Sequence, residues 1–552
     1  MKTNVSLCIA AALMVAACGD PSHRHNSGEK VSVINSTPDE VTPDEVIEED
    51  VEITSNEAAL MEPSANATSK MILSSPPPPQ QRNAETYKEI KENSFVAVAQ
   101  QPVTTFSADV DRAAYANVRR IIGYGKIPPK DAVRIEEMVN YFDYDYPAPE
   151  EGSASPLRVS PELAPAPWNP NHLLLRIGLQ AKKIDLAKAP PSNIVFLIDV
   201  SGSMDEENKL PLLQSSFKML LGQLRPDDKV AIVTYANGTK VALPSTSVKD
   251  KEKIIKVLDN LYASGGTSGG KGIQLAYEQA QKSFIKNGNN RIILATDGDF
   301  NIGINNTTDL EKFIEKQRES GIYMSVLGFG MGNYRDDMAE TIADKGNGNY
   351  AYIDNITEAK KVLVNELSGT LFAVAKDVKL QLEFNPKYVK EYKLIGYENR
   401  MLANEDFTND KKDAGEIGAG HTVTALYELV PSDGKVAQSL RYQSQELNEK
   451  GKGNELGFLK IRYKDPKVKD AKSVEITEPL VFNKKALKET STDYRFAASV
   501  AEFGILLRDN SNKANATYDQ VIELAEGAIG KDPEGYRKEF VRLVKSVKML
   551  PK

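Results

Sequence analysis

Residues 194–198 read Ile-Val-Phe-Leu-Ile, an unbroken apolar run that stops at Asp199 and passes into Val-Ser-Gly-Ser. A strand with one wet face alternates polar and apolar positions. A run without polar positions suits a strand buried on both faces, as in a parallel sheet covered by helices. Asp199 then stands at the carboxyl end of that strand, where open α/β sheets place their ligands. A second run, Arg291–Thr296, ends in the same way at Asp297. Between 190 and 370 the two periodicities alternate. Strands are expected at Lys229–Tyr235, Ile322–Phe329 and Tyr350–Ile353. Helices are expected near 209–224 and at Asp250–Tyr262, Ser268–Lys286, Thr308–Ser320, Arg335–Lys345 and Thr357–Thr370. This order predicts an α/β, Rossmann-like domain, a mostly parallel sheet with helices on both faces.

The ends of the two runs carry hard oxygen donors. Asp199, Ser201 and Ser203 are spaced by two on a short loop, and Thr267 sits in Ser-Gly-Gly-Thr-Ser-Gly-Gly at 264–270. Oxygen-only donors suit Mg²⁺, Mn²⁺ or Ca²⁺ and not zinc or copper. The set Asp199-x-Ser201-x-Ser203, Thr267 and Thr296-Asp297-Gly298 resembles the metal-ion-dependent adhesion site of von Willebrand factor A (VWA) domains, with all five ligand positions filled in order. The resemblance implies one Mg²⁺-class ion above the sheet and a protein partner that offers it an Asp or Glu. Asp297-Gly-Asp299-Phe-Asn301 also looks like the start of a calcium loop, but Ile302 and Thr308 stand where an EF-hand needs Gly and Glu. The glycines around Thr267 precede no Gly-Lys-Ser/Thr, so positioning Thr267 explains them better than cradling phosphate.

Net charge is −8, and it is placed unevenly: residues 19–86 hold 13 acidic and 4 basic side chains, while 87–552 is close to neutral. The folded part is therefore not a basic nucleic-acid binder. At the start of the chain, one Lys precedes an apolar segment of signal-peptide length ending Val15-Ala16-Ala17-Cys18, which looks like a bacterial lipobox. Cleavage would leave Cys18 as a lipid-bearing first residue, and Gly19 in place of Asp favours the outer membrane. The other cysteine, Cys8, lies inside the signal, so the mature chain is expected to hold no disulfide.

These features divide the chain into a lipoprotein signal at 1–18, a disordered acidic and Pro-rich tether at 19–86, an N-terminal region at 87–189, the VWA domain at 190–370 and a C-terminal domain at 371–552. The tether repeats Thr-Pro-Asp-Glu-Val and carries four consecutive prolines. Its His23 and His25 are exposed tail residues. In the N-terminal region, helical spacing over Val110–Ile122 offers Asp109 as an N-cap, and Pro128-Pro129 opens a second helix. The aromatic cluster Tyr141–Tyr146 reads as packing against a neighbouring domain. Strict alternation at Val378–Phe384, Val423–Leu429 and Phe458–Tyr463 predicts antiparallel strands. Stripes Phe496, Val500, Phe503, Leu507 and Val521, Leu524, Ala525, Ala528 predict helices.

Three further stretches, Thr105-Phe106-Ser107-Ala108-Asp109-Val110-Asp111, Ala132–Phe142 and Ala295–Asn301, make residues 90–550 similar to YfbK-type VWA-domain lipoproteins. That resemblance implies a membrane-anchored binding or scaffold protein of the cell envelope. The residues themselves leave a metal-dependent hydrolase and a purely structural scaffold open. Against catalysis, Ser201 stands where a common phosphatase motif has an acid/base Asp, and only His172 and His421 lie outside the tail.

Overall fold

The computed structural model describes residues 85–551 apart from 110, 268, 299–306, 333, 434–448, 450–452, 469–470 and 510–512. The expectations for Cys18 and the signal, for the tether up to residue 84, and for Asp299–Ile302 lie outside these residues. Glu85 and Thr86, assigned by sequence to the tether's end, are docked: Glu85 pairs with Arg120 at 2.9 Å and Thr86 bridges to Arg335. Among the described residues no helix is long and apolar enough to cross a membrane.

The central sheet has six strands in the spatial order Tyr350–Ile353, Ile322–Phe329, Asn289–Thr296, Ser192–Asp199, Lys229–Tyr235 and Thr239–Ser247. The first five are parallel and the last is an antiparallel edge. Ile194–Ile198 lies between Val230–Thr234 and Arg291–Ala295, in the interior of the sheet. Its side chains alternate between two cores. Val195 and Leu197 pack with the helix Gly269–Lys282, while Ile194, Phe196 and Ile198 pack with the helix Leu210–Gln223. All five are fully buried, as a run without polar positions requires. The edge strand Thr239–Ser247 has no apolar run to announce it; it carries Pro244 and is mostly half-exposed, as edge strands can be. The expected helix Thr357–Thr370 is broken, with a wide turn at Lys361–Asn365 between Ile356–Lys360 and Leu367–Leu371.

Two antiparallel sheets enclose a separate core, and neither is built from one flank of the chain alone. One sheet runs Val96–Ala97, Val389–Ile395, Thr422–Pro431, Asn169–Ala181, Leu157–Ala166. In the other, Ala373–Phe384 pairs with Glu455–Lys464 on one side and with Val103–Ser107 on the other. Residues 87–189 and 371–552, divided by sequence into two regions, therefore interleave. The α/β domain is an insert in their sandwich. The chain enters the insert after Ala181 and leaves it before Ala373, and both crossings are held by one turn. The N–H of Gly420 donates to the Lys182 carbonyl at 2.9 Å, the N–H of Ala419 to Phe372 at 2.8 Å, and Ala181 donates to His421 at 2.9 Å.

The helices behave similarly. Ala113–Gly123 presents Ala113 and Ala116 to the central sheet and Tyr115, Val118 and Ile122 to the core of the C-terminal helices Thr492–Leu507, Tyr518–Glu526 and Tyr536–Met549. The aromatic cluster fills that junction: Tyr141 stacks on Tyr115 at 4.1 Å, and Phe142 meets Phe496 edge-on at 4.9 Å. Asp109 is not an N-cap. The helix begins at Ala113 without a side-chain cap, because Asp109 and Asp111 are engaged by Arg400. That guanidinium reaches Asp109 and Asp111 at 3.0 Å, Glu340 at 3.3 Å and Asp344 at 2.6 Å. Beside it, Arg134 pairs with Glu137 and Asp336. Asp111, Glu137 and Glu340 are buried with oxygens within 4.8 Å of one another, so the two arginines hold together carboxylates from the N-terminal segment and the insert.

Candidate functional site

Asp199 ends the central strand and is fully buried. Its Oδ1 accepts the N–H of Ser201 at 2.9 Å, and its Oδ2 accepts the hydroxyl of Thr296 at 3.3 Å. Burial pushes its carboxyl up to about 6; the Ser201 bonds oppose that rise and the neighbouring Asp297 charge adds to it. Asp297 follows the adjacent parallel strand and is likewise fully buried. Gly298 then turns the chain at φ +89°, where a Cβ would lie 2.6 Å from the Arg335 nitrogen. Glycine is needed there for both conformation and space.

The hydroxyls of Ser201 and Ser203 lie 3.0 Å apart. The loop that carries them is tied to the strand ends and to the glycine loop. Val200 N–H donates to Tyr235 at 3.0 Å, Gly202 N–H to Gly265 at 2.9 Å and Ser264 N–H to Val200 at 2.8 Å. Thr267 is half-buried just beyond these contacts. Asn237 accepts the Gly266 N–H at 2.5 Å and fills the space where a Gly265 side chain would stand. The glycines therefore shape the loop carrying Thr267.

Sequence reasoning missed three members of this neighbourhood. Asn237 pins the glycine loop. Tyr235 directs its hydroxyl toward Asp199 and Thr296. Lys209 is buried, with its ammonium 3.2 Å from Asp297 Oδ2 and 2.8 Å from the Ser203 carbonyl. No local signal marked it, since a Lys just ahead of a helix usually faces water. The two histidines lie elsewhere: His172, in the sandwich, shares a 2.6 Å hydrogen bond with Glu428, and His421 lies in the turn at the insert's crossings, where burial lowers it to about 4.

Two buried carboxylates and the Ser201 and Ser203 hydroxyls, against one ammonium, form an all-oxygen donor set with excess negative charge, and Thr267 lies on the adjoining glycine loop. Such a set fits a hard divalent cation. Buried carboxylates in this number are costly without a compensating charge.

Three family models match the chain: "von Willebrand factor type A domain" over 193–365, "von Willebrand factor" over 81–176, and "Uncharacterized protein YfbK, C-terminal" over 369–550. The chain is 48% identical over 465 residues to the uncharacterized protein YfbK of Escherichia coli, covering 83% of this chain and 80% of that one. It is 26% identical over 326 residues to the uncharacterized protein sll0103 of Synechocystis sp., covering 59% and 74%. Among solved structures, a von Willebrand factor type A protein from Catenulispora acidiphila aligns at 14% identity with a TM-score of 0.38, covering 83% of this chain and 91% of that one.

Proposed function

The chain belongs to the YfbK family of von Willebrand factor type A domain proteins, and on that premise we propose that it is a lipid-anchored envelope protein that binds an acidic protein partner through a divalent cation. The observation that carries this reading is the pair of fully buried carboxylates, Asp199 and Asp297, at the ends of adjacent parallel strands beside the Ser201 and Ser203 hydroxyls. Asp199, Ser201, Ser203, Thr267 and Asp297 would hold the ion, Mg²⁺ or its relatives Mn²⁺ and Ca²⁺. When bound, that ion supplies an open, electrophilic coordination position for a carboxylate from a protein partner.

The chain's own residues do the rest. Asp199 is oriented by the Ser201 N–H and the Thr296 hydroxyl. Asn237 holds the glycine loop that carries Thr267 through the Gly266 N–H. Three of the five ligands are neutral hydroxyls, so the ion is held weakly in isolation, and ion and partner strengthen one another equally. A binding role fits better than hydrolysis, because among the described residues His172 and His421 lie in the sandwich and its turn, away from Asp199, and Ser201 offers no acid/base carboxylate.

Titration calorimetry of the full chain with Mg²⁺ tests the site. One ion per chain is expected, with Ser201→Ala binding more weakly, by about tenfold, for the loss of one neutral donor. No measurable Mg²⁺ binding by the wild type would remove the basis of the reading. The anchor is tested separately. Cys18→Ser is expected to leave the protein unprocessed or released from membranes; normal processing and membrane association of the variant would refute lipidation at Cys18.

A further inference from the structure

Lys209 occupies a costly position. It immediately precedes the 14-residue helix Leu210–Gln223, and a cation at a helix N-terminus opposes the helix dipole. Its side chain is nevertheless only 3% exposed. The stem crosses the end of the neighbouring strand at Gly330, which adopts φ +76° and where a Cβ would stand 2.3 Å from the Lys209 Cε. The Gly330 carbonyl is in turn held by the Tyr352 hydroxyl. At its tip the ammonium donates to the Ser203 carbonyl at 2.8 Å, reaches Asp297 Oδ2 at 3.2 Å, and lies 3.2 Å from the half-exposed Glu206. This is a built seat for a cation beside a carboxylate of the candidate ion site.

We infer that Lys209 is an internal counter-cation that sets the site's charge, weakening ion binding in isolation and making the occupied site selective for an anionic carboxylate. The inference deepens the proposed function and rests on it. Asp199, Asp297 and Lys209 together leave one net negative charge. A divalent cation converts that to one net positive charge, in a place where burial limits screening. With a neutral residue at 209, the two carboxylates would cancel the ion and leave a neutral site. Glu206 does not change the comparison, because solvent screens its half-exposed carboxylate and it is present in both cases. Lys209 is thus a positioning and specificity residue; it holds Asp297 and biases what completes the site.

The two consequences have opposite signs, which a merely structural role would not produce. In calorimetry on the full chain, Lys209→Met is expected to bind Mg²⁺ on the order of tenfold more tightly than wild type, from the loss of a cation a few ångströms away. Acetate, the simplest carboxylate probe, is expected to tighten Mg²⁺ binding by wild type and to lose most of that effect in the variant. Lys209→Arg keeps the charge and is expected to retain the acetate effect. Lys209→Gln keeps a hydrogen-bond donor and serves if the Met variant does not fold. A folded neutral variant, checked by circular dichroism, that binds Mg²⁺ no more tightly or keeps the full acetate effect would overturn the role of Lys209. No Mg²⁺ binding by wild type and variants alike would instead overturn the ion site itself.

Discussion

Arg400→Met is expected to destabilise the protein by about 3–5 kcal/mol at neutral pH, the usual cost of leaving buried charges unpaired. The guanidinium lies within 3.3 Å of four carboxylates, Asp109, Asp111, Glu340 and Asp344, and is itself 13% exposed. Methionine fills much of the stem's volume, so the charge is the main loss. Burial already raises Asp109, Asp111 and Glu340 above the ordinary carboxylate range with Arg400 in place. A group raised on folding contributes stability that is fully present below its unfolded value, near 4, and is lost as pH rises through its folded value. Without Arg400 the folded values rise further. The variant's deficit should therefore be small near pH 4 and largest at pH 8. Urea unfolding of both proteins at several pH values measures it, and a deficit below about 1 kcal/mol at pH 8 would contradict a junction held by Arg400.

Asp199→Asn is expected to abolish Mg²⁺ binding without lowering the stability of the ion-free protein. The carboxylate is fully buried and faces the like charge of Asp297. Its hydrogen bonds from Ser201 and Thr296 are ones that an amide oxygen can accept in part. Removing a buried charge with imperfect compensation is neutral or stabilising, whereas removing a structural buried group typically costs 1–3 kcal/mol. Thermal unfolding with EDTA and with Mg²⁺ separates the two cases. Wild type should gain stability with Mg²⁺ and the variant should gain none. A variant less stable than wild type in EDTA would show that Asp199 supports the fold rather than a ligand.

What could be read from the sequence was what local pattern encodes. Ile194–Ile198 had to be interior because no polar position gave it a wet face, and its burial on both sides follows. Asp199 and Asp297 came to adjacent strand ends because both runs end the same way in one parallel sheet. The antiparallel strands and C-terminal helices were legible from their periods. The pairing partners were not. Val103–Ser107 joins Lys379–Glu383 across about half the chain, and nothing in either stretch names the other. Asp109 before an apolar stripe has the local look of a helix cap, but its partner Arg400 is 291 residues away in sequence. Lys209 was hidden for the same reason, since its position shows an unremarkable solvated residue until the strand end at Gly330 and Asp297 close over it.

The turn at Gly418–His421 has a mechanical consequence. Gly418 leaves no room for a side chain, because a Cβ there would lie 2.1 Å from the Gly369 carbonyl, and the turn bonds both Lys182 and Phe372. A pull on the insert reaches the sandwich along the chain through these two crossings, beside the side-chain contacts that Arg400 and Arg134 make with the insert. Because both are bonded to the same turn, a load on the chain divides between two strands of the sandwich. The insert is thereby mounted like a bracket on two bolts through one plate, with its entry and its exit anchored side by side.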